Sequence, residues 1–168
     1  MPDVPVLEMR DVVAFVNEFA DAAREAAGQQ HTPHPDAAEL LTWTAPLPDI
    51  DGLVAAANAI HPLFAAGTAT HEHLNDLLLS LRPVPVATAD GLRWAVDDPG
   101  DVLVAALAAA VLAWLLRHEP DRLGTCRGAN CVDVYADSSP AGRRRFCSTT
   151  CLNRHKVAAH RRRAAGTG

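Results

Sequence analysis

Cysteine is missing from the first 125 residues, and all four cysteines of the chain fall between positions 126 and 151. A body of that size without a thiol cannot be stapled by disulfides and must rely on an apolar core. Long hydrophobic runs are missing as well. The most apolar stretch, residues 102–116, is too short to span a bilayer, so no membrane association is expected. The opening MPDVPVLEMRD has no basic region leading into an apolar one, which argues against a signal peptide and for cytoplasmic residence. There is no G-x-S-x-G, Walker A loop, G-x-G-x-x-G or H-E-x-x-H, and no carboxylate pair stands in a context that suggests acid–base work. No enzymatic activity is expected.

What is present is a body rich in Ala, Leu and Val. The 168 residues are 49% hydrophobic, enough for one core plus a small metal-stapled unit. Met9 to Ala27 reads as one amphipathic helix, with Val12, Val13, Phe15, Val16 and Phe19 on its apolar face and Gly28 as its stop. Pro35 or Asp36 opens a second helix, from Ala37 to about Thr44. Asp49 or Asp51 caps a third, to about Ala66, which Pro62 should kink or divide. Thr70 caps a fourth that buries Leu74, Leu77, Leu78 and Leu81. Val84–Thr88 and Leu92–Val96, around Ala89-Asp90-Gly91, read as a β-hairpin, with Pro85 marking an edge strand. Asp98-Pro99 then begins a long helix, from about Gly100 to His118, that looks buried on most sides. The fold class is mainly α: residues 1–120 form a helical domain with a small β-hairpin, and 122–164 a separate module.

That module contains C-x4-C and C-x3-C, as Cys126/Cys131 and Cys147/Cys151. Four thiols in two close pairs suit one structural, tetrahedral zinc ion; a pair of disulfides is the alternative. Gly128 lies where a tight knuckle calls for a residue tolerant of positive φ. Val132–Tyr135 alternates as a strand should, 137–142 is turn chemistry, and Arg143–Phe146 can return as a second strand. Ser148, Thr149 or Thr150 can cap a helix that carries Cys151 in its first turn and runs to about Arg163. Knuckle, hairpin and helix together are treble-clef-like. His155, four residues after Cys151, could substitute as a ligand, but with four cysteines present it is expected just outside the ligand sphere or facing solvent. Tyr135 and Phe146 read as the module's own small core.

YADSSPAGRRRFCSTTCLNRHKVAAHRRR resembles the CGNR zinc-finger family of bacterial proteins, whose naming motif here reads Cys151-Leu152-Asn153-Arg154, with Leu in place of Gly. The resemblance implies an N-terminal ABATE domain and a role as a stress-induced transcription regulator. More weakly, VVAFVNEF and GLRWAVDDP resemble the N-terminal part of the same family. Leu152 bears on any contact that needs bare backbone at that position, such as close approach to a phosphate.

Charge divides the chain in the same place. Up to Asp121 there are 5 basic and 18 acidic residues, a net −13; from Arg122 onward there are 10 basic and 2 acidic, a net +8. A basic, zinc-stapled end on an acidic body suggests nucleic-acid binding. The candidate contacts are Arg143, Arg144 and Arg145 before the helix, and Arg154, Lys156, Arg161, Arg162 and Arg163 on it. At 100° per residue Arg154, Arg161 and Arg162 share a face, with Lys156 and Arg163 on another side. Double-stranded DNA is the expected partner, with a small-molecule effector for the body and a homodimer as further expectations. Two rivals stand beside this regulator reading: a protein-recruitment module without direct DNA binding, and a body that binds or transforms a small molecule. His31/His34 and His71/His73, with His61, could build a second metal site, although histidines scattered like this are usually surface or helix-end residues.

Overall fold

The computed structural model describes every residue except Thr44, Asp90 and 166–168. The expected end of the second helix at Thr44 and the Asp90 of the hairpin turn thus lie outside the described residues. Helix α1 (Met9–Phe19) buries Met9, Val12, Phe15, Val16 and Phe19, the three-and-four spacing of a single apolar stripe. The one helix expected to Ala27 is in fact two. Ala20 is extended (φ −69°, ψ 131°), and α2 (Asp21–Ala26) starts after it. The break is imposed from outside the segment: the Asp21 N–H donates to Asn58 Oδ1 at 2.9 Å, and Asn58 Nδ2 donates to the Asp21 carboxylate at 2.7 Å. Arg24, only 4% exposed, donates to the carbonyls of Glu18, Gln29 and Thr32, so its charge is solvated by loop backbone.

Helix α3 (Ala37–Leu41) is short. The Asp36 carboxylate accepts from the Ala38 N–H at 2.8 Å, and Thr42 ends the helix in the left-handed region at φ 51°. Helix α4 (Ile50–Ala65) is capped by Asp49, which accepts from the Gly52 N–H at 3.0 Å. Of the two outcomes expected of Pro62, a kink or a division, division does not occur. Proline removes only the rung to residue 58, and burial of Ile60, Leu63 and Phe64 on both sides holds the helix as one element. Helix α5 (Thr70–Leu81) also departs from expectation at its start. Thr70 does not cap it; its buried hydroxyl donates to Leu63 O at 3.0 Å and Gly67 O at 2.8 Å, tying α5 to the end of α4. Leu74 and Leu81 are buried, whereas Leu77 and Leu78 are only half-buried.

The expected hairpin gains a third strand. β1 (Asp3–Val4), β2 (Val84–Thr88) and β3 (Gly91–Ala95) form an antiparallel sheet in the order β1-β3-β2, with Asp3 opposite Ala95 and Thr88 opposite Gly91. Pro85 lies on edge strand β2, where its missing N–H costs no rung to an inner neighbour. A 3-10 turn (Pro99–Asp101) leads into α6 (Val102–Leu115), shorter than expected at both ends. Helix α6 is the centre of the body: Leu103, Ala105–Ala108, Ala110 and Val111 are all buried. No helix among the described residues is long and apolar enough to cross a membrane.

The C-terminal region consists of strands β4 (Leu123–Thr125) and β5 (Val134–Ala136), which pair antiparallel, and helix α7 (Thr149–Ala165). The strand expected at Arg143–Phe146 does not form, and Leu123–Thr125 takes its place as the partner of β5. Leu123 and Val134 are buried in the same apolar cluster as α1, α4 and α6. Asn17 of α1 acts like a further strand. Its Oδ1 accepts from the Val134 N–H at 2.6 Å, and its Nδ2 donates to Val134 O at 3.1 Å. His61 Nε2 lies 3.1 Å from Val132 O. Replacing Asn17 with Ala leaves both backbone groups of Val134 without these partners. This should cost about 1–3 kcal/mol in urea denaturation of the whole chain.

Candidate metal centre and nucleic-acid interface

The β4–β5 turn is the knuckle. It carries Cys126 and Cys131, pinned at its base by the Cys126 N–H donating to Asp133 O at 2.7 Å. Gly128 is not in a positive-φ conformation, contrary to expectation; Asn130 is, at φ 57°. Glycine at 128 instead relieves crowding. A Cβ there would stand 3.3 Å from Cys126 Sγ and 3.4 Å from Cys151 Cβ, and the Gly128 N–H itself donates to Cys126 Sγ at 3.3 Å. Cys147 and Cys151 come from the entry to α7. There the Ser148 hydroxyl accepts from the Cys151 N–H at 3.2 Å, the N-cap arrangement expected for one of three candidate residues.

These elements bring all four thiol sulfurs within 4.8 Å of one another. Cys131 and Cys147 Sγ are 3.7 Å apart, and Cys147 and Cys151 Sγ 3.6 Å. A regular tetrahedron of sulfurs about 2.3 Å from a zinc ion has edges of about 3.8 Å, so the spacing fits the metal. All four cysteines are free, which sets the disulfide alternative aside. The chemistry of the donors agrees. Burial pushes the Cys131 thiol up to about 12 and also raises Cys147. Burial opposes the Cys126 anion too, but there the N–H groups of Cys147 and Gly128 outweigh it and hold the thiol below its ordinary value. Four thiolates packed this closely require a cation. Cys126, Cys131, Cys147 and Cys151 would hold a single zinc, which supplies a structural cross-link between knuckle and helix. His155 is not in this group; its ring tilts against Phe146, with centroids 5.1 Å apart. The histidines proposed for a second site do not gather into a metal-holding cluster among the described residues. His61 meets backbone, and His34 stacks on Phe19 at 5.1 Å.

The loop between β5 and α7 is held by polar groups that sequence reasoning did not single out. Asp137 is buried. Its two carboxylate oxygens accept from the N–H groups of Ser139 and Arg144, each at 2.9 Å. Hydrogen bonding from Ser139 is the main reason its carboxyl pKa lies below the ordinary carboxylate value. Arg122 straps the turn through the carbonyls of Ser139 and Pro140. Tyr135 donates to Arg144 O at 2.8 Å, and Gly124 leaves room for that ring, since a Cβ at 124 would come within 2.5 Å of it. No local sequence signal identifies Asn17 or His61, because their partners are more than 70 positions away.

The expected nucleic-acid contacts fall into three groups. Arg144, though exposed, folds back on the finger: its guanidinium donates to the carbonyls of Phe146, Ala136 and Cys147 and lies over the Tyr135 ring, 5.4 Å from its centroid. Arg143 and Arg145 are exposed beside the start of α7. On α7, residues Thr150, Asn153, Arg154, Val157, Arg161 and Arg162 line one shallow surface. Lys156 and Arg163 are exposed elsewhere on the helix. Arg154, Arg161 and Arg162 make no ion pair with the acidic body among the described residues.

Residues 122–164 match the family model of the CGNR zinc finger. No curated protein matches the chain.

Two outcomes follow from the geometry. Cys131 and Cys147 hold their protons at neutral pH without metal and must release them to bind it. Zinc affinity should therefore rise with pH, by at least about a hundredfold per unit from these two protons. Competition with a chromophoric chelator between pH 6 and 8 measures that slope. Asp137→Asn, which removes one of two acceptors from a buried turn, should lower the stability of the zinc-loaded protein by about 1–3 kcal/mol in urea.

Proposed function

We propose that this protein is a bacterial DNA-binding transcription regulator without enzymatic activity. In this reading the zinc-stapled helix α7 contacts duplex DNA, and the acidic ABATE-like body senses a signal or forms a dimer. The observation that carries the proposal is the outward face of α7. Its Asn153, Arg154, Val157 and Arg161 side chains are all exposed, and Arg143 and Arg145 flank the helix start. The helix has 17 residues, or about 25 Å, and needs little of its surface for packing. The major groove admits a helix of this kind. Arginine pairs bidentately with phosphate or guanine, asparagine with adenine, and an apolar side chain such as Val157 meets a thymine methyl group. The zinc fixes where α7 leaves the body, which is what allows a single exposed helix to be aimed. Free thiols and a zinc site suit a reducing cytoplasm.

Arg144 has a different part in this account from its neighbours. Its donors are engaged by carbonyls of the finger itself, so it supports the loop that presents Arg143 and Arg145. The rival recruitment reading draws on Val157, 51% exposed at the centre of the face, which a protein groove could cover equally well.

Binding of the zinc-loaded protein to duplex DNA across a salt series tests the proposal. If Arg154, Arg161 and Arg162 all meet phosphate, replacing the three with Ala should flatten the slope of log K against log salt by about 3. Arg144→Ala should lower stability more than it changes that slope. Absence of duplex binding by protein verified to carry one zinc per chain would favour recruitment.

A further inference from the structure

The body contains a cavity that the DNA reading does not use. It lies between α5 and α6 where β3 crosses them and has a volume of 460 Å³. Ligand pockets commonly fall between about 300 and 1,000 Å³. Leu78, Leu79, Pro83, Trp94 and Leu112 wall it, and the hollow exists because Ala105 and Ala109 of α6 are small where larger side chains would close it. Two polar side chains stand among these apolar ones, Asn75 and Arg82.

Arg82 gives the cavity its character. It follows α5 in the left-handed conformation, at φ 49°, where the chain turns into Pro83 and β2. Its side chain has no acidic or hydrogen-bonding partner among the described residues. Elsewhere in the body Arg24 is satisfied by three carbonyls, and Arg10 pairs with Asp11 at 3.3 Å. Like Arg117, Arg82 is an exposed arginine whose side chain has no partner among the described residues, but here the guanidinium borders an apolar hollow. At the same mouth Leu79 is 74% exposed, an apolar lip with nothing against it.

We propose that this cavity binds an amphipathic monocarboxylate, with its hydrocarbon part between Trp94, Leu78 and Leu112 and its carboxylate on Arg82, assisted by the Asn75 amide. The occupant is a small acid and not a second copy of the chain. The site is a hollow with a single charge at its mouth, and neighbouring Pro85 on edge strand β2 has no N–H to offer an added strand. The proposal is independent of DNA binding and is read directly as ligand affinity.

The test is calorimetric titration of the zinc-loaded full chain with octanoate, decanoate and decanol, each below its aggregation limit. Decanoate should bind more tightly than octanoate by roughly fourfold per added methylene. Arg82→Gln should weaken decanoate at least tenfold and leave decanol unchanged. Ala109→Leu, which fills the hollow, should abolish both, with thermal denaturation confirming that the variant is folded. Equal binding of acid and alcohol, unchanged by Arg82→Gln, would overturn the carboxylate assignment. Decanoate binding that survives in folded Ala109→Leu would overturn the location. If neither probe binds and the chain instead dimerises in a way that Leu79→Glu abolishes, the face belongs to a second copy and the proposal fails.

Discussion

Four thiols cannot be held within 4.8 Å of one another as anions unless a cation sits among them, and the C-terminal third of this molecule is arranged around that requirement. The knuckle between β4 and β5 supplies one pair, and the first turn of α7 with the residue before its cap supplies the other. Gly128 suits its place because the sulfurs crowd its backbone, leaving little room for a Cβ. Ser148 must cap the helix so that Cys151 arrives at the right height. The direction in which α7 leaves the body follows from the same knot, since little else holds that helix. A site that looks purely structural therefore decides what the exposed face of α7 can reach.

The finger is not an independent bead on a string. Leu123 and Val134 lie in the core that α1, α4 and α6 build, and Asn17 closes the edge of β5 with a pair of hydrogen bonds. Half of the module, the β4–β5 hairpin, is thus supported by body packing. The other half, the knuckle loop and α7, depends on metal. A small zinc module on its own buries too little surface to fold without its ion, but here that dependence falls unevenly across the module. The arrangement also gives the body a mechanical connection to the metal site, through Asn17 and through His61 at Val132.

Much of this was legible in sequence because it was local. The cysteine spacing, the helix carrying Cys151, the Asp36 and Asp49 caps, the apolar stripe of α1 and the hairpin with Pro85 at its edge all rest on neighbours a few residues apart. What failed was decided at long range. Ala20 looks like good helix, and only Asn58 from α4 explains the break. Thr70 looks like a cap until Leu63 and Gly67 claim its hydroxyl. Residues 143–146 were expected to pair with β5, but 123–125 pack better because Leu123 reaches the body core. Arg144 reads as one of three equivalent arginines, yet the carbonyls of Ala136, Phe146 and Cys147 engage its donors. β1 is two residues long and carries too short a pattern to be seen without its partner.

Amide hydrogen exchange of the full chain, followed before and after zinc is removed by a chelator, tests this division most directly. On zinc removal, α7 and residues 126–131 should lose protection while α1 and the β4–β5 hairpin keep most of theirs. If α7 stayed protected without metal, the thiol knot would not be what positions it. If the hairpin and α1 lost protection together with α7, the body would not be supporting half of the finger.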